Sequence, residues 1–203
     1  MCGQFEALLY LSMLKNRRDL DDEPAPTRKV APSLAAPVLV HNPDHGRIEA
    51  IEARFGLVPH WYRGALRDFK GTTFNARVET AGEKPAFKGP WRYRRAIVPA
   101  VSFSESSGPK SGRQNWRITR QDEQPMGFAA LWDEARLVEG ECLSFAILTR
   151  PAGPDMAAIH EREPVILDVE RWDDWMMRRP VDLMAYASLK LANETQAAQP
   201  ALF

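Results

Sequence analysis

From Arg95 onward the chain carries five short runs of β-forming residues: Arg95–Phe103, Asn115–Arg120, Met126–Trp132, Leu143–Thr149 and Pro164–Leu167. The gaps between them are of hairpin length. Upstream, Pro37–His41 and Arg47–Leu57 read the same way around the turn string Asn42-Pro43-Asp44-His45-Gly46. Strands joined by such gaps pair with their neighbours in antiparallel fashion. The helical stretches do not alternate regularly with them. Helices are expected at Phe5–Leu20, where Ala7, Leu8, Leu11 and Leu14 recur at helical spacing, and from Asn75 to Thr80. Further short helices are expected at Pro154–Ile159, Val169–Met177 and Asp182–Ala192, and Val58–Thr73 reads as a long aromatic and basic loop. The pattern predicts an α+β fold: a single domain with a largely antiparallel, barrel-like β-sheet and a few flanking helices. That domain is placed at residues 1–192, with 193–203 as a flexible tail.

A chain of 203 residues with 44% apolar content can fill one core. Its two cysteines, Cys2 and Cys142, give no disulfide framework. Cys142 opens the apolar run to Leu148 and reads as an inert buried thiol. There is no signal-peptide pattern at the start and no apolar run of membrane-spanning length. The expectation is a soluble, cytoplasmic monomer without membrane contact, nucleoid-associated in a bacterial cell. Charge is neutral overall but unevenly placed. Between Arg54 and Arg120 lie 14 Lys and Arg against 4 Asp and Glu, a local +10 that the rest of the chain offsets. Aromatics interleave with these cations, among them Trp61, Phe69, Phe74 and Trp91. A basic track with flat stacking surfaces is the physical recipe for single-stranded nucleic acid.

Cys2 is the most reactive position in the chain. Removal of Met1 would leave it with two nucleophiles on adjacent carbons, an α-amine and a thiol, both partly active near neutral pH. An aldehyde can form a Schiff base with the amine, and the thiol can then close a five-membered thiazolidine. Three further strings carry polar residues next to strands: Phe74-Asn75-Ala76-Arg77-Val78-Glu79-Thr80, Ile97 to Glu105, and Ile159-His160-Glu161-Arg162-Glu163-Pro164.

Taken with Phe55-Gly56-Leu57-Val58-Pro59-His60-Trp61, Val30-Ala31-Pro32-Ser33 and Phe128-Ala129-Ala130-Leu131-Trp132, these strings resemble the SRAP family of SOS-response-associated peptidases and abasic-site processing proteins. The chain reads as a divergent, C-terminally short member, with the resemblance running from residue 1 to about residue 168. The resemblance implies a covalent thiazolidine between Cys2 and the ring-opened aldehyde of an abasic site in single-stranded DNA, with AP-lyase and self-processing peptidase activities alongside. It implies Cys2 as nucleophile and Asn75 as the group orienting its amine or the sugar. Glu105 would move protons during ring opening, His160 would act as acid or base, and Arg77 would hold a phosphate. Trp61, Arg94 and Arg95 are the further candidate DNA contacts. No cofactor and no metal is required. The chain departs from the family pattern at Gln4, usually Arg, at Ser106, usually Trp, and at Glu163, usually Met.

The residue types suit that chemistry on their own terms. An abasic sugar is mostly a closed hemiacetal, so opening it needs a proton shuttle, for which Glu and His serve. Two other readings stay open: an N-terminal-nucleophile hydrolase of the glutamine amidotransferase kind, and a non-catalytic single-stranded DNA-binding module.

Overall fold

The structure, a computed structural model, describes residues 3–8, 26–42 and 46–197. Strict alternation of inward and outward side chains builds its sheet. On β6 (Arg95–Ser107), Ala96, Val98 and Ala100 join one buried cluster while Ile97 joins the other. On β8 (Met126–Leu137), Phe128 and Ala130 point one way and Ala129 and Leu131 the other. On β9 (Gly140–Pro151), Phe145 and Ile147 oppose Ala146 and Leu148. Both faces of these strands are therefore buried, one inside a barrel and one beneath helices.

Five strands close the barrel. β8 pairs with β9, β9 with β4 (Arg47–Phe55), β4 with β3 (Ala35–Asn42), β3 with β6, and β6 returns to β8. All of these pairings are antiparallel except β4 with β9. The fold is thus a single domain with a largely antiparallel, barrel-like sheet and short flanking helices, as the spacing of the runs predicts. Outside the barrel wall, α1 (Pro85–Tyr93) and α2 (Trp172–Met176) bring Trp91, Trp172, Trp175 and Met176 onto Ile97, Leu131 and Leu148. Trp172 lies so close to Gly127 that a Cβ there would overlap its indole. No helix among the described residues is long and apolar enough to cross a membrane.

Four expectations need correction. Phe5 begins no helix: Gln4–Leu8 form β1, held between β6 and β2 (Thr27–Val30), while residues 9–25 lie outside the described residues. Asn75–Arg77 form β5, a strand parallel to β9, because Ala76 is fully buried there. The helix comes later, at Pro85, where proline suits the first helical turn. Pro154–Ile159 make consecutive turns anchored by buried Met156, not a regular helix. Asp182–Ala192 is not helical either. Leu189–Asn193 form β12, which covers the edge of β7 (Gln114–Arg120), and a helical turn at Glu194–Ala197 follows.

One end of the barrel is filled by an aromatic plug. Phe5 meets Phe55 at 5.4 Å and Phe128 at 5.8 Å between ring centres, both edge-on. Phe74 packs on Phe55 at 5.8 Å and Phe103 on Phe128 at 6.0 Å. Each such ring removes enough apolar area from water to stabilise the fold by about 1.5–3 kcal/mol.

Candidate active site

The plug positions the chemistry because its rings neighbour the reactive strings. Phe5 lies two residues after Gly3, Phe74 precedes Asn75, and Phe103 lies two residues before Glu105. A bulge on β6 completes the placement. The β1–β6 register runs Glu6 to Ser102 and then Ala7 to Ala100, which leaves Val101 as an extra residue. An extra residue reverses the side-chain alternation beyond it. Ala100 and Phe103 therefore both join the interior cluster, and Glu105 follows Phe103 to the same side.

An open pocket of about 450 Å³ lies at this end. Gly3 and Gln4, at the start of β1, form one wall, and Ser104, Glu105 and Ser106 of β6 form another. Arg113, Asn115, His160 and Glu194 complete it. Glu105 is buried, opposite Trp116 of β7. Cys2 lies outside the described residues, but its neighbour Gly3 faces the same space as Glu105 and His160. Asn75 stands on β5 beside Ile147 of β9 and is not part of this lining.

His160 is held in one tautomer. The Arg162 backbone N–H donates to its Nδ1 at 2.9 Å, so the ring proton resides on Nε2. His160 can thus donate a hydrogen bond through Nε2, and a role as base there would need a proton where the Arg162 N–H already points. Arg162 is itself clamped. It opens β10 (Arg162–Pro164), which pairs with β9, and its guanidinium grips Glu79 through two bonds of 2.5 and 2.9 Å. It also donates to the Thr149 carbonyl at 2.6 Å. The Arg162 side chain is 8% exposed and that of Glu79 44%. Hydrogen bonds from Arg162 hold the Glu79 carboxyl below its usual range. The Asn75–Glu79 string and the His160–Pro164 string are therefore tied together across β9.

The next residue, Glu163, has a different role. Arg150 donates to its Oε1 at 2.9 and 3.1 Å, and the Gly153 N–H donates to Oε2 at 2.9 Å. Arg150 also reaches the carbonyls of Leu183 and Ala185 and lies 4.2 Å above the Tyr186 ring. This fully bonded buried pair fixes the chain that leads to β12.

The candidate DNA contacts separate. Arg77 is exposed on β5 beside Thr149. Trp61 is 53% exposed on the loop 58–73. Arg94 pairs with fully buried Asp133 at 2.7 Å, and Asp133 also accepts the backbone N–H of His60 at 2.9 Å, so this pair anchors the loop. Arg95 lies over the Trp175 ring and near that of Trp91 at the far end of β6. The cationic segment is partly neutralised by acids beyond it: Arg117 meets Glu6, and Arg120 meets Asp122 and Asp168. Sequence reasoning missed Arg113, Glu194 and the Glu79–Arg162 clamp. Arg113 stood in the basic segment, whereas nothing local marks Glu194. Cys142 is a half-buried free thiol that burial pushes up from its usual value, which disfavours the reactive thiolate.

The structure is thus a small mixed barrel whose first described residues, Gly3 and Gln4, share an open pocket with a buried carboxylate and a histidine. The profile of the SOS response associated peptidase (SRAP) family matches residues 1–200, and the chain belongs to that family. It is 30% identical over 190 residues to the abasic site processing protein YoqW of Bacillus subtilis, covering 90% of this chain and 83% of that one. It is 31% identical over 184 residues to the abasic site processing protein YedK of Escherichia coli, covering 87% and 79%. A solved protein from Bordetella bronchiseptica superposes with a TM-score of 0.79 at 26% identity, over 95% of this chain and 99% of that one.

Proposed function

We propose that this protein processes abasic sites in single-stranded DNA by cross-linking its own N-terminus to the damaged sugar. The observation that carries this reading is the pocket where Gly3, next to Cys2, shares one space with Glu105 and His160. The naming of relatives as abasic site processing proteins supports it. With Met1 removed, Glu105 transfers a proton to open the sugar hemiacetal. The Cys2 α-amine adds to the exposed aldehyde, and loss of one water gives a Schiff base. The Cys2 thiol then adds to that carbon: a C–S bond forms, the C=N electron pair moves to nitrogen, and nitrogen takes the thiol proton. The product is a thiazolidine, with one water released overall. His160 donates through Nε2 to the sugar oxygen, Asn75 orients the Cys2 amine or the sugar, and Arg77 holds a flanking phosphate.

The Schiff base also acidifies the neighbouring carbon, so strand cleavage by β-elimination competes until the ring closes. Self-processing is limited to freeing Cys2. The protein acts as a cytoplasmic monomer without cofactor or metal.

The deciding experiment mixes protein of verified N-terminal mass with a single-stranded oligonucleotide bearing an abasic site. A slow band should survive boiling in detergent. It should vanish with Cys2→Ala, and intact DNA should give none. Absence of that band where the aldehyde is demonstrably present would overturn the reading. Hydrolysis of glutamine without any band would favour the amidotransferase-like alternative, and reversible DNA binding alone would favour the binding module.

A further inference from the structure

We propose that the opposite mouth of the barrel is a second ligand site, which takes a nucleotide: its phosphate on Arg95 and Arg178, its ring over Trp132, and a ring amino group toward Glu49 and Glu134. A cavity of about 600 Å³ opens there. Its floor is the barrel interior, where Val40, Ile51, Leu143 and Trp132 belong to or pack on the core cluster. Barrel mouths with apolar floors and a few polar groups are ordinary places for small ligands.

Two arginines of the rim stand outside any ion pair among the described residues. The Arg95 guanidinium lies 4.3 Å above Trp175 and 5.3 Å above Trp91, and its Nε donates to the Trp91 carbonyl at 3.1 Å. Among the described residues no carboxylate forms an ion pair with Arg95 or Arg178, whereas neighbouring Arg94 is neutralised by Asp133. Burial, with the Arg178 charge adding to it, pulls the Arg95 guanidinium below the usual arginine range. An anion between the two cations would relieve that repulsion. Arg178 also holds a left-handed backbone, φ 63°, just past α2, where glycine is the favoured residue. A charged side chain kept in a conformation unfavourable to it is consistent with a role for its head group.

The remaining rim fits a base. Tyr93 is 62% exposed beside Trp132, giving a second flat surface. The Glu49 carboxylate is steadied by Asn42 Nδ2 at 3.0 Å, and Glu134 is exposed. Carboxylates accept from ring amino groups, which cytosine and adenine carry and thymine lacks. Arg95 and Glu105 are ten residues apart on β6, about 30 Å of extended strand, so the two sites are separate.

The ligand can be a free nucleotide or, on the proposed function above, one nucleotide of the strand that carries the abasic site. Titration calorimetry of the full-length protein with dCMP, dAMP, dTMP and deoxycytidine tests the shared chemistry. The monophosphates of cytosine and adenine should bind at least about tenfold tighter than dTMP and than the phosphate-free nucleoside. Arg178→Gly, whose backbone suits φ 63°, should lose that binding while melting normally. Undamaged single strands of increasing length separate the two sources. A strand ligand gives a step in affinity once the strand can span both ends, and Arg178→Gly abolishes the step. A free nucleotide gives calorimetric binding without the step. Adduct formation on a short abasic oligonucleotide should be unchanged by Arg178→Gly, so failure of this site is distinguishable from failure of the cross-linking reading. Lack of heat from every nucleotide at millimolar concentration together with no length step, or equal binding by Arg178→Gly, would overturn the proposal.

Discussion

The two ends of this barrel are built from the same five strands and have opposite interiors. At the reactive end, Phe5, Phe74 and Phe103 fill the lumen, and the polar residues next to them are held at its edge. At the far end the lumen is left open above Trp132, and the arginines at its rim stack or stand exposed. A cross-linking site needs reacting atoms fixed within a fraction of an ångström, which dense packing supplies. A reversible binding site needs room. On the proposed function, the contrast makes the aromatic plug a positioning device as much as a core.

The sharpest way to break this contrast is Phe5→Ala. It removes the ring that fixes β1 and should destabilise the protein by about 3–5 kcal/mol in denaturant titration. It should also cost most of the adduct yield even at temperatures where the protein remains folded. A variant that loses stability but reacts at the normal rate would reduce the plug to mere core.

Next in size is Glu163→Ala, which leaves Arg150 buried beside a missing charge. The expected loss is about 3 kcal/mol, with the double variant Arg150→Met with Glu163→Met recovering most of it. Adduct rates in the folded double variant should match the parent, since this pair does not touch the pocket.

Glu79→Ala should act the other way round. Its partner Arg162 is buried but Glu79 is half-exposed and leaves water access behind, so the stability cost should be below that of Glu163→Ala, about 1–3 kcal/mol. Adduct formation should slow by about tenfold, because the backbone that fixes the His160 tautomer is freed. The ¹⁵N shifts of the His160 ring should lose the signature of an accepting Nδ1, which a purely structural role for Glu79 would leave unchanged.

The smallest effect lies far from both ends. Hydrogen bonds from Arg120 lower the Asp122 carboxyl from 3.8 to about 2. Because its folded value is depressed, its contribution is complete above about pH 4 and is lost as pH falls toward 2. Melting temperature followed between pH 2 and 5 should therefore fall slightly less steeply for Asp122→Asn, with no change in adduct rate at neutral pH.

Strands that face both a barrel and a helix layer were plain in the sequence, as in the runs around Val98, Phe128 and Phe145. Three of the strands that went unread share a cause. β1, β5 and β12 are short, and each is a strand only because a distant edge receives it: Phe5 pairs with Phe103, Asn75 with Ile147, Leu189 with Arg120. Ala7 and Leu8 satisfy a helical spacing just as well, so tertiary pairing overrode the local pattern. α1 was missed because Gly89 and Pro90 interrupt it, although Pro85 and the Phe87–Trp91 spacing marked its start. At the site, Glu105 and His160 were legible through the strings that carry them. The bulge at Val101 that turns Glu105 inward was not, because a register shift exists only between two strands.

The placement of β1 has a consequence for synthesis. Gly3 and Gln4 line a pocket with residues made much later in the chain. β1 can pair with β2 early, but its β6 edge is absent until Phe103 is made, and no histidine lies beside it until His160 is made. On the proposed function, a nascent chain therefore carries Cys2 through most of translation without the groups that would direct it. Ribosome-stalled chains ending before residue 160 should cross-link to abasic DNA no faster than a free N-terminal cysteine peptide, and the finished chain should react much faster. On the proposed function, the order of synthesis delays the directed reactivity of Cys2 until Glu105 and His160 have joined the pocket.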